Sequence, residues 1–206
     1  MSSEDDTILE TALRTSDILD LTGFSLVAVS WESVTNQGRK GAEVVTPHFP
    51  VLEGAKLLIS PILQGRLVAE DWGPILAPSL IFHRRLEKDY NIGKLIRFLP
   101  GILFFIGFLV FSYLFLPNPS IQLVFGLLAG GIVILALGMY SAVRLGRSLV
   151  LKADREAALV IGAQSLIEVL RKLETLREHD ASQGNDWPEF GDHPSITKRM
   201  ANLQNS

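Results

Sequence analysis

Ser79 and His83 stand four residues apart. On a helix that spacing puts both on one face, and a histidine base beside a serine hydroxyl is the first half of a nucleophilic centre. Neither an orienting acid nor an oxyanion donor can be placed beside them from the sequence, so an ordinary polar pair is the simpler expectation. A second group is His179, Asp180, Asp192 and His193. Imidazole and carboxylate together suit several divalent ions. The simpler expectation here is a solvated loop over Glu178 to Gly191, followed by a helix cap at His193-Pro194-Ser195. The chain has no cysteine, which removes disulfides, thiolate–zinc sites and a cysteine nucleophile.

These residues have to be positioned by a chain of 206 residues that is 48% hydrophobic, with a mean hydropathy of +0.29. The net charge of -3 provides no global basic field, so nucleic acid is not an expected partner. Met1 to Asp6 is acidic and polar, so a cleavable secretory signal is not expected. Phe98 to Leu116 and Ile121 to Val143 are two almost uncharged apolar runs of membrane-spanning length. Pro117-Asn118-Pro119-Ser120 between them predicts a tight transmembrane hairpin. Arg84, Arg85, Lys88, Lys94 and Arg97 precede the first run, and Arg144, Arg147, Lys152 and Arg155 follow the second. The positive-inside rule then places both flanks in the cytoplasm of a cell-membrane protein with two spans. Arg84, Arg85, Lys88, Arg144 and Arg147 are the expected contacts with the membrane surface. Gly126 and Gly130 form G-x-x-x-G, which permits close helix contact, first of all within the hairpin.

The flanks read as a small α+β domain. Phe24 to Trp31 and Ala42 to Thr46 predict two strands, joined by turn residues from Thr35 to Gly41 as a β-hairpin. Phe49 to Leu63 has helical spacing around Gly54 and Pro61. Glu70 to Asp89 reads as a further helix damaged by Gly73, Pro74 and Pro78. From Leu149 to Leu176 apolar residues recur with helical period, predicting one long amphipathic helix that continues the second span. A short last helix carries Arg199 and Met200.

Four segments in this order carry a resemblance: Gly41-Ala-Glu-Val-Val-Thr-Pro47, Glu70-Asp-Trp-Gly-Pro-Ile-Leu-Ala77, Val150-Leu-Lys-Ala-Asp154 and His193-Pro-Ser-Ile-Thr-Lys-Arg199. Together with the apolar hairpin between the second and third, the chain resembles the HtpX-type and CAAX-prenyl-protease-type membrane zinc metallopeptidases over roughly residues 20 to 203. The resemblance implies a zincin-like cytoplasmic domain with a small β-hairpin, interrupted by the transmembrane pair. In that family an H-E-x-x-H helix supplies two histidine ligands and a general base, and E-x-x-A-D beyond the hairpin supplies the third ligand.

This chain departs from that pattern at every chemical position. Pro78 and Phe82 stand for the two histidines, Ser79 for the base and Val150 for the third ligand. A catalytic zinc site needs three protein ligands and an open fourth position. The expectation is therefore no zinc, no cofactor and no peptidase activity, with the former pocket turned into packed core. Asp154, His193 and Arg199 remain as possible remnants of the cleft. The expected organisation is a polar segment over 1–20, half-domains over 21–97 and 144–206, and a membrane hairpin over 98–143, its helices at 98–116 and 121–143. The expected function is that of an inactive, membrane-anchored interaction, regulatory or structural subunit. Its partners would be the bilayer and other membrane subunits or a second copy. Two alternatives stay open: a membrane hydrolase using Ser79 and His83 or His179 and His193, and a small structural membrane subunit unrelated to peptidases.

Overall fold

The computed structural model describes residues 3–21, 23, 25–32, 45–115, 121–187 and 193–205. Its first element is helix α1, Ser3–Ile18, opened by Glu4, Asp5 and Asp6, whose negative charge suits the positive end of the helix dipole. Its inner face is Ile8, Ala12, Thr15 and Ser16, all buried. Two of those four are hydroxyl residues, so the stretch over 1–20 read as merely polar although it packs on the core.

The sheet is small and mixed. Strands β1 (Ala28–Trp31), β2 (Val51–Glu53) and β3 (Lys56–Ile59) lie in the order β1-β3-β2. β1 runs parallel to β3, and β2 pairs antiparallel with β3, with Leu52 opposite Leu57 and Glu53 opposite Lys56. This corrects the helical reading of Phe49 to Leu63. Gly54, with φ of 62°, takes the first position of a two-residue hairpin loop, where a left-handed backbone favours glycine. The apolar run on each side is short enough to suit either period, so the turn decides it. Of the strand expected over 42–46, residues 42–44 lie outside the described residues, as does the turn over 35–41. Val45 is buried with Val51 and Leu58, and Thr46 makes only an isolated bridge with Phe49.

Two long helical rods run against each other. The first is α2 (Ala69–Ile81), a π-helical turn (Phe82–Leu86) and α3 (Glu87–Phe115). Pro74 and Pro78 lie inside α2, and each removes one ladder hydrogen bond. Asp71 accepts from the Val68 amide and caps the start. Trp72, Ile75, Leu76, Ala77, Leu80 and Ile81 are at most 2% exposed, and burial of that extent, about 1.5–3 kcal/mol for each large apolar side chain, offsets the lost bonds. The second rod is α4, Ile121–Ile161, 41 residues long. It bears out the expected continuation beyond the second apolar run, but the amphipathic helix is not single. Gly162, with φ of 90°, ends it, and α5 (Ala163–Ser182) turns back against α2 and α4. Helix α6, Ile196–Gln204, closes the chain with Ser195 accepting from the Lys198 amide as its N-cap.

Both rods contain a helix long and apolar enough to cross a membrane. Leu103, Ile106, Leu109, Val110 and Leu114 on α3, and Phe125, Ile132, Val133 and Leu137 on α4, are each more than half exposed. The contact between the rods is made by glycine. A Cβ on Gly138 would stand 2.7 Å from the Arg97 carbonyl oxygen, and one on Gly101 would stand 3.1 Å from Leu135 Cγ. Among the described residues nothing lies within 4 Å of a Cβ on Gly126 and one on Gly130 would meet Phe104 Cζ at 3.9 Å, so the close backbone approach is at Gly138 rather than at G-x-x-x-G. Residues 116–120 lie outside the described residues.

Candidate functional site

Phe82 after α2, Asp154 on α4, and His193 and Arg199 at α6 meet the turn Thr46–Phe49 in a buried centre. That turn has Pro47 at its second position, and the Phe49 amide donates to the Thr46 carbonyl. It presents His48 and Phe49 inward. Phe49 is fully buried and meets Phe82 edge-on at 5.7 Å, the His193 ring at 5.2 Å and the Arg199 guanidinium at 5.6 Å. Sequence reasoning passed over both residues, because Phe49 looked like one more apolar position in an expected helix. The flanking Pro47 and Pro50 were the available signal.

Pro78 is buried, and Ser79, Phe82 and Val150 are no more than 2% exposed. All but Pro78 and Ser79 belong to the main apolar cluster, beside Ala77, Leu80, Ala153 and Ala157. Ser79 Oγ has no hydrogen-bond partner among the described residues. His83 faces Glu87 instead, 3.5 Å from Nδ1 to the carboxylate. The serine–histidine hydrogen bond that would activate a nucleophile is therefore not formed.

Asp154 and Arg199 form the centre's only fully enclosed ion pair among the described residues. Arg199 Nη2 lies 2.6 Å from Oδ1 and Nε lies 2.9 Å from Oδ2, an in-plane bidentate contact with both side chains at most 1% exposed. Arg199 Nη1 also donates to the His48 carbonyl at 2.6 Å. A buried charge survives only when paired and hydrogen-bonded, and here one guanidinium satisfies a carboxylate and a turn carbonyl together. Asp154, Arg199 and His193 are thus interior groups rather than the lining of an open cleft. Burial, with the Arg199 and Arg177 cations and the His193 ring nearby, holds the His48 imidazole well below its ordinary value of 6.5. His48 Nε2 has no hydrogen-bond partner among the described residues.

The second sequence-derived group does not assemble. His179 is exposed and bonds Gln183 at 3.1 Å. Asp180 accepts from Arg66 at 2.6 Å and 2.8 Å and from Trp187 Nε1 at 2.8 Å. Those donors hold its carboxyl down at about 2. His193 belongs to the Phe49 centre, and Asp192 lies outside the described residues. The expected solvated loop is helical at its start and buried further on: α5 runs to Ser182, and Trp187 is buried. An open pocket of about 300 Å³ lies there between Arg177, Glu178, Ala181, Asp186 and Trp187.

The expected membrane-surface cations divide. Arg85 donates to the Leu19 carbonyl at 2.8 Å and Arg84 to the Gly23 carbonyl at 3.1 Å, so both hold the exit of α1. There they satisfy carbonyls of the segment that follows α1, whose own last-turn carbonyls already accept from the amides of Leu19, Asp20 and Leu21. Lys88 and Arg144 are exposed, and Arg147 is half-buried. Comparison with protein-family models, with curated proteins and with solved structures finds no match.

Proposed function

We propose that this chain is a membrane-anchored protein built on the plan of the HtpX-type zinc peptidases, with the metal site exchanged for packed core, and that it acts by binding. It serves as an interaction, regulatory or structural subunit of a membrane complex. Its two apolar helices cross the bilayer and both flanks face the cytoplasm. The observation that carries this reading is the burial of Ser79, Phe82 and Val150, each at most 2% exposed, in one interior with the Asp154–Arg199 pair. A pocket meant for water, metal and peptide has to stay open, because a catalytic zinc keeps one coordination position for its reactants. Phe82 against Phe49 occupies that space with apolar contact, and Arg199 neutralises the nearest carboxylate. The polar side chains beside it, Ser79, His48 and His193, are themselves buried.

The test is metal content and proteolysis on the full chain in detergent. The expected result is substoichiometric zinc, no chelator-sensitive cleavage of peptide or casein, and recovery of a defined membrane-protein partner from native membrane. Stoichiometric zinc with cleavage that a chelator abolishes would overturn the reading.

A further inference from the structure

We infer that one face of α4, formed by Gly126, Gly130, Val133, Leu137 and Ser141, docks a transmembrane helix of another protein that sets an aspartate or glutamate beside Arg97. The inference rests on the proposal that the hairpin crosses a bilayer, and it names the chemistry of the partner. Its first support is Arg97. Ile92, Leu95, Ile96 and Leu99 are all exposed, so the apolar band of α3 begins before Arg97 and continues beyond it. Arg97 itself is half-buried against α4. Its Nε donates to Ser141 Oγ at 3.0 Å and its Nη1 to the Gly93 carbonyl at 2.8 Å. Both acceptors are neutral, so they hold the guanidinium in place without cancelling its charge. No carboxylate occurs in the sequence between Asp89 and Asp154, so the apolar hairpin does not supply the counter-charge. A cation inside an apolar band is costly unless paired, and a carboxylate on a neighbouring helix matches the guanidinium fork.

The second support is the face on which Ser141 lies. Gly126, Gly130, Val133, Leu137 and Ser141 follow one another by four, three, four and four residues, so they share one side of the helix. By the rise of a helix they extend over about 22 Å, against a hydrocarbon core of about 30 Å. Gly126, Val133 and Leu137 are exposed. Among the described residues nothing lies within 4 Å of a Cβ on Gly126, and Phe104 Cζ comes only to 3.9 Å of one on Gly130. The seam with α3 runs instead through Gly131 and Gly138, where a Cβ would stand 2.7 Å from Phe105 Cζ and 2.7 Å from the Arg97 carbonyl oxygen. The hairpin therefore leaves the Gly126–Ser141 face uncovered and holds a cation at its end. A second copy would bring a second Arg97 to the same depth, and the two cations would repel with no acid between them. The occupant that fits is a different chain carrying a carboxylate.

The full chain, labelled at a single cysteine introduced by Ser206→Cys, is reconstituted into phosphatidylcholine vesicles with a labelled synthetic Leu/Ala helix. The helix carries one glutamate a turn inside one end, or glutamine at the same place, and association is read by energy transfer. The glutamate helix is expected to bind roughly tenfold more tightly than the glutamine helix. The preference is expected to vanish in R97Q, to persist in R97K and K152Q, and both helices are expected to bind less in G126V. Equal binding of the two helices by the unaltered chain, or a preference that survives R97Q, overturns the docking face. A preference that disappears when half the phosphatidylcholine is replaced by phosphatidylglycerol gives Arg97 to lipid phosphate and overturns it too. So does energy transfer between two labelled copies of the chain that G126V abolishes, which gives the face to a second copy. Alkaline extraction separates this failure from the other one. A chain that stays inserted yet shows no preference refutes the docking face alone, and a chain stripped from the vesicles refutes the membrane reading beneath it.

Discussion

The two ends of the long rods hold together by opposite means. At the domain end, α2 and α4 are fastened to α6 and to the Thr46–Phe49 turn by a charged pair at most 1% exposed and by aromatic edges around Phe49. At the hairpin end, α3 and α4 meet through glycine against backbone, and their outer faces are bare apolar side chains. The difference teaches what each surrounding can supply. In a domain that buries its core from water, the hydrophobic effect has already paid for close packing, so a polar pair can be enclosed if its geometry is complete. On the proposal that the hairpin lies in a bilayer as apolar as its side chains, burial contributes no drive there, and close backbone approach through small residues is what remains.

The sharpest break of that comparison is at Arg199. Arg199→Met leaves Asp154 buried and unpaired, and the loss is expected at about 3–5 kcal/mol, read by urea denaturation of the purified chain. Asp154→Leu combined with Arg199→Met is expected to recover most of it, since removing both charges leaves none uncompensated. A double variant no more stable than the single one would show that the His48 carbonyl, not Asp154, is what Arg199 chiefly serves.

At the other end, Gly138→Val brings a Cβ to 2.7 Å from the Arg97 carbonyl, which is backbone and cannot swing away. Separation of the rods at that level is expected, at about 1–3 kcal/mol. Cysteine pairs introduced across the seam should crosslink more slowly in this variant. Gly126→Val, with none of the described residues within 4 Å of its Cβ, should leave crosslinking unchanged, and equal effects of the two would displace the seam from where the glycines put it.

A smaller effect belongs to protons. The folded protein holds His48 neutral, with its pKa well below 6.5, while the unfolded chain takes up a proton through the ordinary value. The unfolded state then binds more protons as pH falls through 6.5, so stability is expected to decline there and to be complete above it. Arg199, Arg177 and His193 all face this imidazole with positive or ionisable nitrogen, so none of them opposes the trend. His48→Gln should flatten melting temperature against pH between neutrality and mild acid. Asp180 acts in a different window: its contribution is present above 3.8 and is lost as pH falls toward about 2. A melting temperature that rises on mild acidification would contradict the placement of His48.

Much of the frame was legible before any coordinate. The two apolar runs, the strand ending at Trp31, the continuation of the second span and the helix after His193-Pro194-Ser195 follow from period, hydropathy and capping, which are local properties. Less legible were elements with mixed signals. The inner face of α1 is half hydroxyl, and Val51 to Ile59 suits a helix or a hairpin until Gly54 takes a left-handed backbone.

What the sequence determined alone is chemical inventory: two apolar helices, the absence of thiols, and side chains at Pro78, Phe82 and Val150 that carry no donor atom for a metal. What only the tertiary structure decided is partnership. Asp154 and Arg199 lie 45 residues apart, and Arg199 and His48 lie 151 apart. No local pattern announces such a pair, because its energy exists only once packing has excluded water from both groups. The same holds for the hydrogen bonds of Arg84 and Arg85 to the Gly23 and Leu19 carbonyls, which their position beside the apolar run did not announce.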